Sequence, residues 1–187
     1  MPLRNAPEVA REGGEAFAIE FVHNGGTGAR PNKDGLSATA YPSGVLGSQV
    51  EISESVAPVL IKRRDLRPDS GGAGRTRGGL GQSIEVESTN DNPFLLFLSV
   101  ERVKHPAKGR AGGQAGMPGR IRVGDGPDLP SKGEVRIEAG ETLTFETPGG
   151  GGFGPATERA HDAIARDVED GVVSVDAARK QYGWAKE

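Results

Sequence analysis

The sequence contains no cysteine, few aromatic residues and no long apolar run, and each absence narrows the class of protein. Without cysteine, disulfides, thiolate metal ligands and cysteine nucleophiles are excluded, and a cytoplasmic location is the default expectation. Aromatic residues are only 5% of the 187 residues, which predicts a mainly aliphatic core. The longest apolar run, residues 93–98, is far shorter than the roughly 20 residues of a membrane-spanning helix, and the N-terminus lacks the apolar centre of a secretion signal. We therefore expect no membrane association.

Glycine is what the sequence has in abundance. Thirty glycines and 13 prolines stand beside a hydrophobic fraction of 34%. This composition predicts a folded chain that is rich in turns and irregular backbone, rather than a disordered one. The length suits one domain with room for a small appendage.

The charge pattern argues against nucleic-acid binding and singles out the middle of the chain. The net charge is −3 overall, but it is −3 for residues 1–61, +6 for 62–122 and −6 for 123–187. The basic middle segment suits either an anionic ligand or an acidic partner surface, and a plain solvated face is the alternative.

Alternation of apolar and polar residues predicts a series of β-strands. In the first, Phe17, Ile19 and Phe21 would share one face, and in the second Val50 and Ile52 would point inward. The predicted strands are 15–22, 49–56, 59–61, 83–88, 94–103, 120–123, 132–138 and 141–146. A hairpin through residues 90–93 would join 83–88 to 94–103.

After residue 154 the apolar period becomes helical. Ala160, Ile164 and Val168 mark one face of a helix that Thr157 would cap and Gly171 would end. A second short helix would begin after Ser174 as its N-cap and stop at Gly183.

The expected fold is thus mainly antiparallel β with glycine-rich loops and a short C-terminal helical pair, α+β overall. The expected divisions are a leader at 1–14, a glycine-rich β domain at 15–155 and a C-terminal helical arm at 156–187.

No nucleotide-binding motif is present among the glycine stretches. None ends in the Gly-Lys-Ser/Thr of a phosphate-binding loop, and Arg77 occupies the position where a dinucleotide fingerprint would need glycine. Backbone N–H groups together with Arg75 and Arg77 could instead hold a carboxylate, a carbonyl or a phosphate. The alternative is a wide turn whose arginines bond to carbonyls of neighbouring loops.

The sequence also offers no complete metal site and no serine nucleophile. His23, His105 and His161 stand far apart, without the ligand spacing of a metal site. The Gly-x-Ser-x-Gly motif is absent and Ser70 has no nearby base. We expect no metal on this chain, and catalytic residues remain unassigned.

Several strings in order resemble the hydantoinase B/oxoprolinase family. They are GTGARPNKDGLSATAYPSG at 26–44, LRPDSGGAGRTRGGLGQ at 66–82, ERVKHPAKG at 101–109, TPGGGGFG at 147–154 and RDVEDGVVSVDAARKQYG at 166–183. Within these blocks, the candidates for contact with a substrate or a partner are Asp34, Arg67, Asp69, Ser70, Arg75, Arg77, Arg102 and His105.

The resemblance implies a component of an ATP-dependent enzyme that hydrolyses a cyclic amide such as a hydantoin or 5-oxoproline. A hydantoinase A-type partner with an actin-like ATPase fold would hold ATP and Mg and phosphorylate the small-molecule substrate. Phosphorylation converts an unreactive amide or enol oxygen into a leaving group. The alternatives are a component of an acetone- or acetophenone-type carboxylase, which acts on an activated ketone, and a non-catalytic structural module of such a complex.

The resemblance is to the C-terminal portion of the family's B-type chains, which are several times larger. The histidine and acidic metal ligands of the carboxylases belong to the N-terminal portion, where a divalent metal would lie. The chain would therefore need a B-type N-terminal portion as a partner and would be inactive alone. It is either a separately encoded half or a fragment of such a B-type chain.

Overall fold

The structure is a computed structural model that describes residues 17–39, 47 and 49–185. In chain order its elements are α1 (Val50–Val56), β1 (Val59–Leu66), β2 (Gln82–Ser88), β3 (Phe94–Ser99), β4 (Arg120–Val123), β5 (Lys132–Ile137), β6 (Thr142–Glu146), a 3₁₀ turn (Ala156–Glu158), α2 (His161–Glu169) and α3 (Val175–Tyr182). This is the predicted mainly β, α+β fold. The leader expected at 1–14 lies outside the described residues.

Within the described residues, six strands form two antiparallel sheets. The larger has the order β1-β2-β6-β4, and the smaller pairs β3 with β5. In β2 the buried and half-buried residues alternate, with Ile84 and Val86 inward. These two residues pack with Leu143 of the same sheet and Ile137 of the smaller sheet, so the aliphatic core lies between the sheets.

The hairpin predicted through residues 90–93 is wrong. The strands β1 and β6 pair with the two edges of β2, so no edge is left for β3. After Ser88 the chain crosses to the smaller sheet, where Phe94 pairs with Ile137. The chain then returns to the larger sheet for β4, crosses again to the smaller sheet for β5 and returns to the larger sheet for β6. Alternation identified these strands, but it carries no information about which strand each one pairs with.

Residues 50–56 form a helix, not the predicted strand. Ser53 and the following C-cap residue Ala57 are buried, one helical turn apart, whereas Ile52 and Val56 are more than half exposed. The inward side of α1 is therefore lined by small residues, which hydropathy alternation does not register.

The first predicted strand, 15–22, is not part of either sheet within its described residues, 17–22. Phe17, Ile19 and Phe21 nevertheless pack against the core between the sheets, as their shared face predicted. The prediction that these three side chains share one face is confirmed, whereas the prediction that the segment pairs with a neighbouring strand is wrong for the described residues.

The glycine-rich stretches associate into a bundle of extended segments outside the sheets, which we call the glycine bundle. Its members are residues 24–29, 35–38, 70–74, 77–82, 107–110, 113–117 and 147–153. Bonds between members recur every third residue: the N–H groups of Gly26 and Ala29 donate to Pro148 and Gly151, and those of Gly149 and Gly152 to Met117 and Gln114. Three residues per turn is the period of the polyproline II helix, whose backbone groups must bond laterally.

Glycine is required where the bundle segments touch. A Cβ at Gly150 would lie 1.9 Å from the carbonyl oxygen of Thr27, and one at Gly79 would lie 2.0 Å from that of Leu36. Both obstacles are backbone atoms, which cannot rotate away. As in collagen, close approach of the chains leaves no space for a side chain.

The two C-terminal helices pack on the glycine bundle. Ile164, Ala178, Tyr182 and Trp184 form a cluster around Ala73 of the bundle. The caps predicted for α3 are confirmed: the Ser174 hydroxyl accepts the N–H of Ala177 at 3.1 Å, and Gly183 has a φ of 68°. None of the helices among the described residues has the length and apolarity to cross a membrane.

The N-terminus of α2 differs from the prediction. Its N-cap residue is Ala160, with no side-chain cap, and Thr157 lies instead in the 3₁₀ turn. Between these elements Arg159 has extended backbone, with a ψ of 130°. This break in the helix directs the Arg159 side chain into the bundle.

Candidate functional site

The ionic centre of the molecule is a network of two arginines and two aspartates between the glycine bundle and the C-terminal helices. The Arg159 guanidinium binds both oxygens of Asp34, at 2.9 and 2.8 Å. On another edge of the same guanidinium, Nε and Nη2 donate to Asp167 Oδ2 at 3.1 and 2.7 Å. Arg77 also donates to Asp167, at 3.3 and 3.4 Å. We call these four residues the Asp34–Arg159 network.

Local structure holds each member of this network in place. Asp34 follows a tight turn closed by the Arg30 to Lys33 backbone bonds, and it accepts the backbone N–H of Arg77 at 2.6 Å. Arg77 lies in a bundle segment and donates from Nη1 to the carbonyl of Gly78 at 2.8 Å. Asp167 lies on the buried face of α2 beside Ile164. The network thus ties three remote parts of the chain together.

Its electrostatics are those of charges that are buried and mutually neutralised. Burial alone would raise the pKa of Asp34, but the hydrogen bonds and charge of Arg159 together with the Arg77 N–H hold that pKa below its usual value. Burial would lower the pKa of Arg159, but the bonds and charges of its carboxylate partners outweigh that effect and raise it. Burial raises the pKa of the neighbouring Tyr182 to about 12, so its hydroxyl stays protonated. Such a network fixes the positions of its members.

Arg67, Asp69 and Ser70 build the turn that leads into the bundle. The fully buried Ser70 hydroxyl donates to the Arg67 carbonyl at 2.6 Å and accepts the Gly81 N–H at 2.9 Å. Asp69, with a φ of 61°, accepts the Ser174 N–H at 2.7 Å and so holds the start of α3. The Arg67 side chain donates to the Pro118 carbonyl at 2.7 Å and lies 3.3 Å from Glu146.

Arg75 lies at the surface of the bundle, close to the Asp34–Arg159 network. Its guanidinium is 6.0 Å from the centroid of the Phe153 ring and 3.6 Å from the Glu158 carboxylate. It also donates to the Pro31 carbonyl at 3.3 Å. The arginines of this glycine loop therefore bond to neighbouring carbonyls and carboxylates, which was the alternative interpretation of the loop.

Arg102 and His105 lie apart from these residues, in an open surface depression of about 410 Å³. Two loops form it, one immediately after β3 and one immediately before β5. Of the eight candidates, Asp34, Arg75 and Arg77 lie around the network, Arg67, Asp69 and Ser70 lie in one turn, and Arg102 and His105 line the depression. Whether any of them contacts a substrate remains a prediction.

Sequence reasoning missed Arg159 and Asp167. The available signal was a charged residue on the apolar side of α2, since Asp167 falls between Ile164 and Val168 on the inward face. A buried aspartate requires a cationic partner, and the partner could not be identified before the bundle was known.

His23 is a partly buried titratable group outside the Asp34–Arg159 network. Its ring stacks on Phe21 at 5.7 Å and lies 5.9 Å from Phe145. No described residue supplies a hydrogen-bond partner to either ring nitrogen. Burial, followed by the charge of Arg64, lowers the pKa of His23 to about 4. The imidazole is therefore neutral and behaves as a core aromatic.

The described residues bring together no group of three or more histidine, cysteine, aspartate or glutamate side chains that could hold a metal ion. Asp34 and Asp167 are the paired carboxylates of the site, and both already bind arginine. The side chains present here do not fit a metal centre.

Comparison with known proteins identifies the class of chain that has this fold. A family model described as hydantoinase B/oxoprolinase matches residues 4–156. The chain is 36% identical over 153 residues to 5-oxoprolinase 1 of Arabidopsis thaliana, a match that covers 76% of this chain and 12% of that protein. It is 32% identical over 169 residues to the caprolactamase beta subunit of Pseudomonas jessenii, a match that covers 84% of this chain and 29% of that protein.

Solved structures agree with this classification. The crystal structure of the ATP-dependent caprolactamase from Pseudomonas jessenii is similar with a TM-score of 0.74 and 29% identity, covering 87% of this chain and 30% of that one. A nucleotide-free acetone carboxylase has a TM-score of 0.69 at 23% identity, covering 85% of this chain and 26% of that one, a likeness of fold. The chain belongs to the hydantoinase B/oxoprolinase family. It spans less than a third of the length of the relatives named here.

Proposed function

We propose that this chain is part of an ATP-dependent enzyme that hydrolyses a cyclic amide such as a hydantoin or 5-oxoproline. The observation that carries the proposal is the 32% identity to the caprolactamase beta subunit over 169 residues, joined to the TM-score of 0.74 with the ATP-dependent caprolactamase. The 36% identity to a 5-oxoprolinase also supports the proposal, because that relative is named for a different cyclic amide. Caprolactam and 5-oxoproline are both cyclic amides.

The partners that we propose are those that the family resemblance implies. A hydantoinase A-type ATPase would bind ATP and Mg, and a B-type N-terminal portion would supply the remaining catalytic groups and any divalent metal. The relatives include the beta subunit of a caprolactamase and one subunit of a D-/L-hydantoinase, which supports assembly from several chains. The net reaction would convert ATP, a cyclic amide and two molecules of water into ADP, phosphate and the open-chain product.

Within such an enzyme, we assign to this chain the rigid part of the B-type unit. The described residues of the strings that resemble the family lie in the glycine bundle, the Asp34–Arg159 network, the C-terminal helices and the loop after β3. The bundle is cross-bonded by backbone groups at every third residue, and the network is internally satisfied. Rigid support of this kind holds neighbouring loops in the geometry that catalysis requires.

The experiment that tests the function is reconstitution. The chain would be affinity-purified from its host, every co-purifying chain identified by native mass spectrometry, and the complex assayed for ATP-dependent opening of hydantoin, 5-oxoproline and caprolactam. We expect an A-type ATPase and a B-type N-terminal portion in fixed ratio, with hydrolysis that needs no bicarbonate. Turnover of acetone or acetophenone only with bicarbonate would assign the carboxylase branch instead.

Substitution of Arg75 separates a catalytic contribution from a purely structural one. Arg75 is half exposed at the bundle surface, so Arg75→Ala leaves the fold intact, and Arg166→Ala on the exposed face of α2 is the matched control. If Arg75→Ala lowers turnover while the complex still assembles, the chain takes part in the reaction. Loss of assembly without a separate effect on turnover would support the structural module.

A further inference from the structure

In the first part of the basic middle segment, residues 62–77, the structure pairs most cations with carboxylates. Lys62 pairs with Glu87 at 2.8 Å, and Arg67 lies 3.3 Å from Glu146. Arg63, Arg75 and Arg77 likewise have acidic partners. Much of the positive charge of residues 62–77 is therefore neutralised within the fold.

The loop between β3 and β4 is the exception. Its basic residues are Arg102, Lys104, Lys108 and Arg110. None of them takes part in an ion pair with another described residue. Four cations without a carboxylate partner among the described residues therefore lie in this loop, and we expect an attractive potential for anions above it.

Two of these cations line the depression. Its walls comprise residues 100–105 on one side and Ser131 and Lys132 on the other, and the Val100 N–H holds the two loops together by donating to the Ser131 carbonyl at 2.8 Å. The single carboxylate in the lining, Glu101, is paired with Lys132 at 3.0 Å. This leaves Arg102, Lys104 and His105 facing the depression without an acidic partner among the described residues.

The backbone of Arg102 supports a role in binding. Its φ is 61°, a left-handed conformation that costs a non-glycine residue roughly 1–2 kcal/mol. The conformation is fixed in part by a hydrogen bond from the Gly119 N–H to the Arg102 carbonyl, at 3.1 Å. Glycine adopts this left-handed backbone conformation more easily than arginine does. The position therefore carries an arginine at a cost in folding free energy. Such strain concentrates where side chains contact ligands.

We propose that this depression binds a small organic anion through a phosphate or carboxylate group. Arg102 would bind the two oxygens in a bidentate arrangement, and Lys104 would add a second positive charge. Val100 and Val103 give the lining an apolar part that suits the carbon skeleton of such a molecule. A volume of about 410 Å³ accommodates a metabolite.

The proposal goes beyond the proposed function and is tested without any enzyme activity. The 187-residue chain, labelled with ¹⁵N, would be titrated with inorganic phosphate, acetyl phosphate, glutamate and, as a neutral reference, caprolactam, with amide shifts followed by NMR. We expect saturable shifts confined to residues 100–105, 119 and 131–132 for at least one of the anions, weaker at high KCl concentration because salt screens exposed charges. Caprolactam should cause none of these shifts.

A double variant makes the test specific. Arg102→Gly with Lys104→Ala removes both charges, and glycine relieves the left-handed backbone, so the fold is retained. We expect about tenfold weaker binding, or more, with unchanged affinity for the control Arg166→Ala. Shifts that are absent for all anions, that spread over the whole surface or that survive in the double variant would overturn the proposal. Saturation by acetyl phosphate alone would assign phosphate, and saturation by glutamate alone would assign carboxylate.

Discussion

Arg159 and Asp34, which are 125 residues apart in sequence, form a two-pronged ion pair with N–O distances of 2.9 and 2.8 Å. The Arg159 side chain is only 4% exposed, while that of Asp34 is 36% exposed. The pair joins the turn after the first extended segment to the break before α2. It is a contact by which the C-terminal helices are fixed to the glycine bundle.

The first prediction concerns this pair. Arg159→Leu leaves Asp34 and Asp167 without their shared partner, and loss of one side of a buried ion pair costs about 3–5 kcal/mol. Arg159→Lys should recover only part of that loss because an ammonium group cannot bind both carboxylates in a forked geometry. The free energy of unfolding in urea measures the effect. The exposed Arg166–Asp162 pair provides the control, since Arg166→Ala should cost less than about 0.5 kcal/mol. Equal losses of unfolding free energy in Arg159→Leu and Arg166→Ala would contradict a structural role for the buried pair.

The second prediction tests the glycine bundle at one of its most crowded contacts. In Gly150→Ala the new methyl group would meet the Thr27 carbonyl oxygen at 1.9 Å, so segments of the bundle must separate, at a cost of at least about 3 kcal/mol. Gly28→Ala, in the adjoining segment, meets only the Gly151 carbonyl, at 3.9 Å, and has no positive φ. That control should be neutral or slightly stabilising. Urea titration followed by circular dichroism compares them, and a Gly150→Ala midpoint equal to the control's would disprove close packing there.

The third prediction is a pH dependence that originates at His23. Its pKa falls from 6.5 in an exposed chain to about 4 in the folded protein, so between these values the unfolded state binds more protons. Stability therefore decreases as the pH falls from 6.5 toward 4, by an amount on the order of 2–3 kcal/mol.

The matched variant for this pH dependence is His23→Phe, which retains the aromatic contacts with Phe21 and Phe145 and cannot titrate. Unfolding free energies measured between neutral pH and about pH 5 should fall less steeply for His23→Phe than for the unaltered protein. Asp34 does not interfere, because its depressed pKa places its loss of charge at lower pH. Parallel pH profiles for the two proteins would assign the titration to other groups.

The fourth prediction separates two properties of Asp69, its left-handed backbone and its bond to the Ser174 N–H. Asparagine tolerates a φ of 61° and offers the same acceptor oxygen, so Asp69→Asn should change stability by less than about 0.5 kcal/mol. Asp69→Ala loses both properties and leaves the Ser174 N–H without its acceptor, at a cost of about 1–3 kcal/mol. Thermal unfolding distinguishes the two variants. A loss of equal size in Asp69→Asn would mean that the negative charge, rather than the bond, is what matters.

Local patterns predicted several elements well. The alternation in 83–88 corresponds to β2, and the caps Ser174 and Gly183 bound α3. Both signals act within a few residues, since a strand with a buried face must alternate and a helix end must satisfy its own backbone. The helix at 50–56 was missed because its inward side consists of small residues, Ser53 and Ala57.

For the candidate residues too, short sequence patterns identified individual positions, whereas their partners lie far away in the sequence. Asp34, Asp69, Ser70 and Arg77 were predicted as candidates for contact with a substrate or a partner, and in the structure their hydrogen bonds join separate segments. Asp69 finds its partner in Ser174, and Arg77 finds Asp167, each far along the chain. Sequence alone could identify the polar groups that need partners, and it could not identify those partners.

The sequence by itself determined the membership of a family, the aliphatic alternation of the strands, the caps of the last helix and the need to bring many glycines together. Tertiary structure decided which strands pair, which glycines touch and where charge remains uncompensated. The physical reason is that propensity and periodicity act over one or two turns of chain. Close approach of backbones and burial of ion pairs depend on segments that meet only when the chain is folded, such as the Thr27 carbonyl and Gly150.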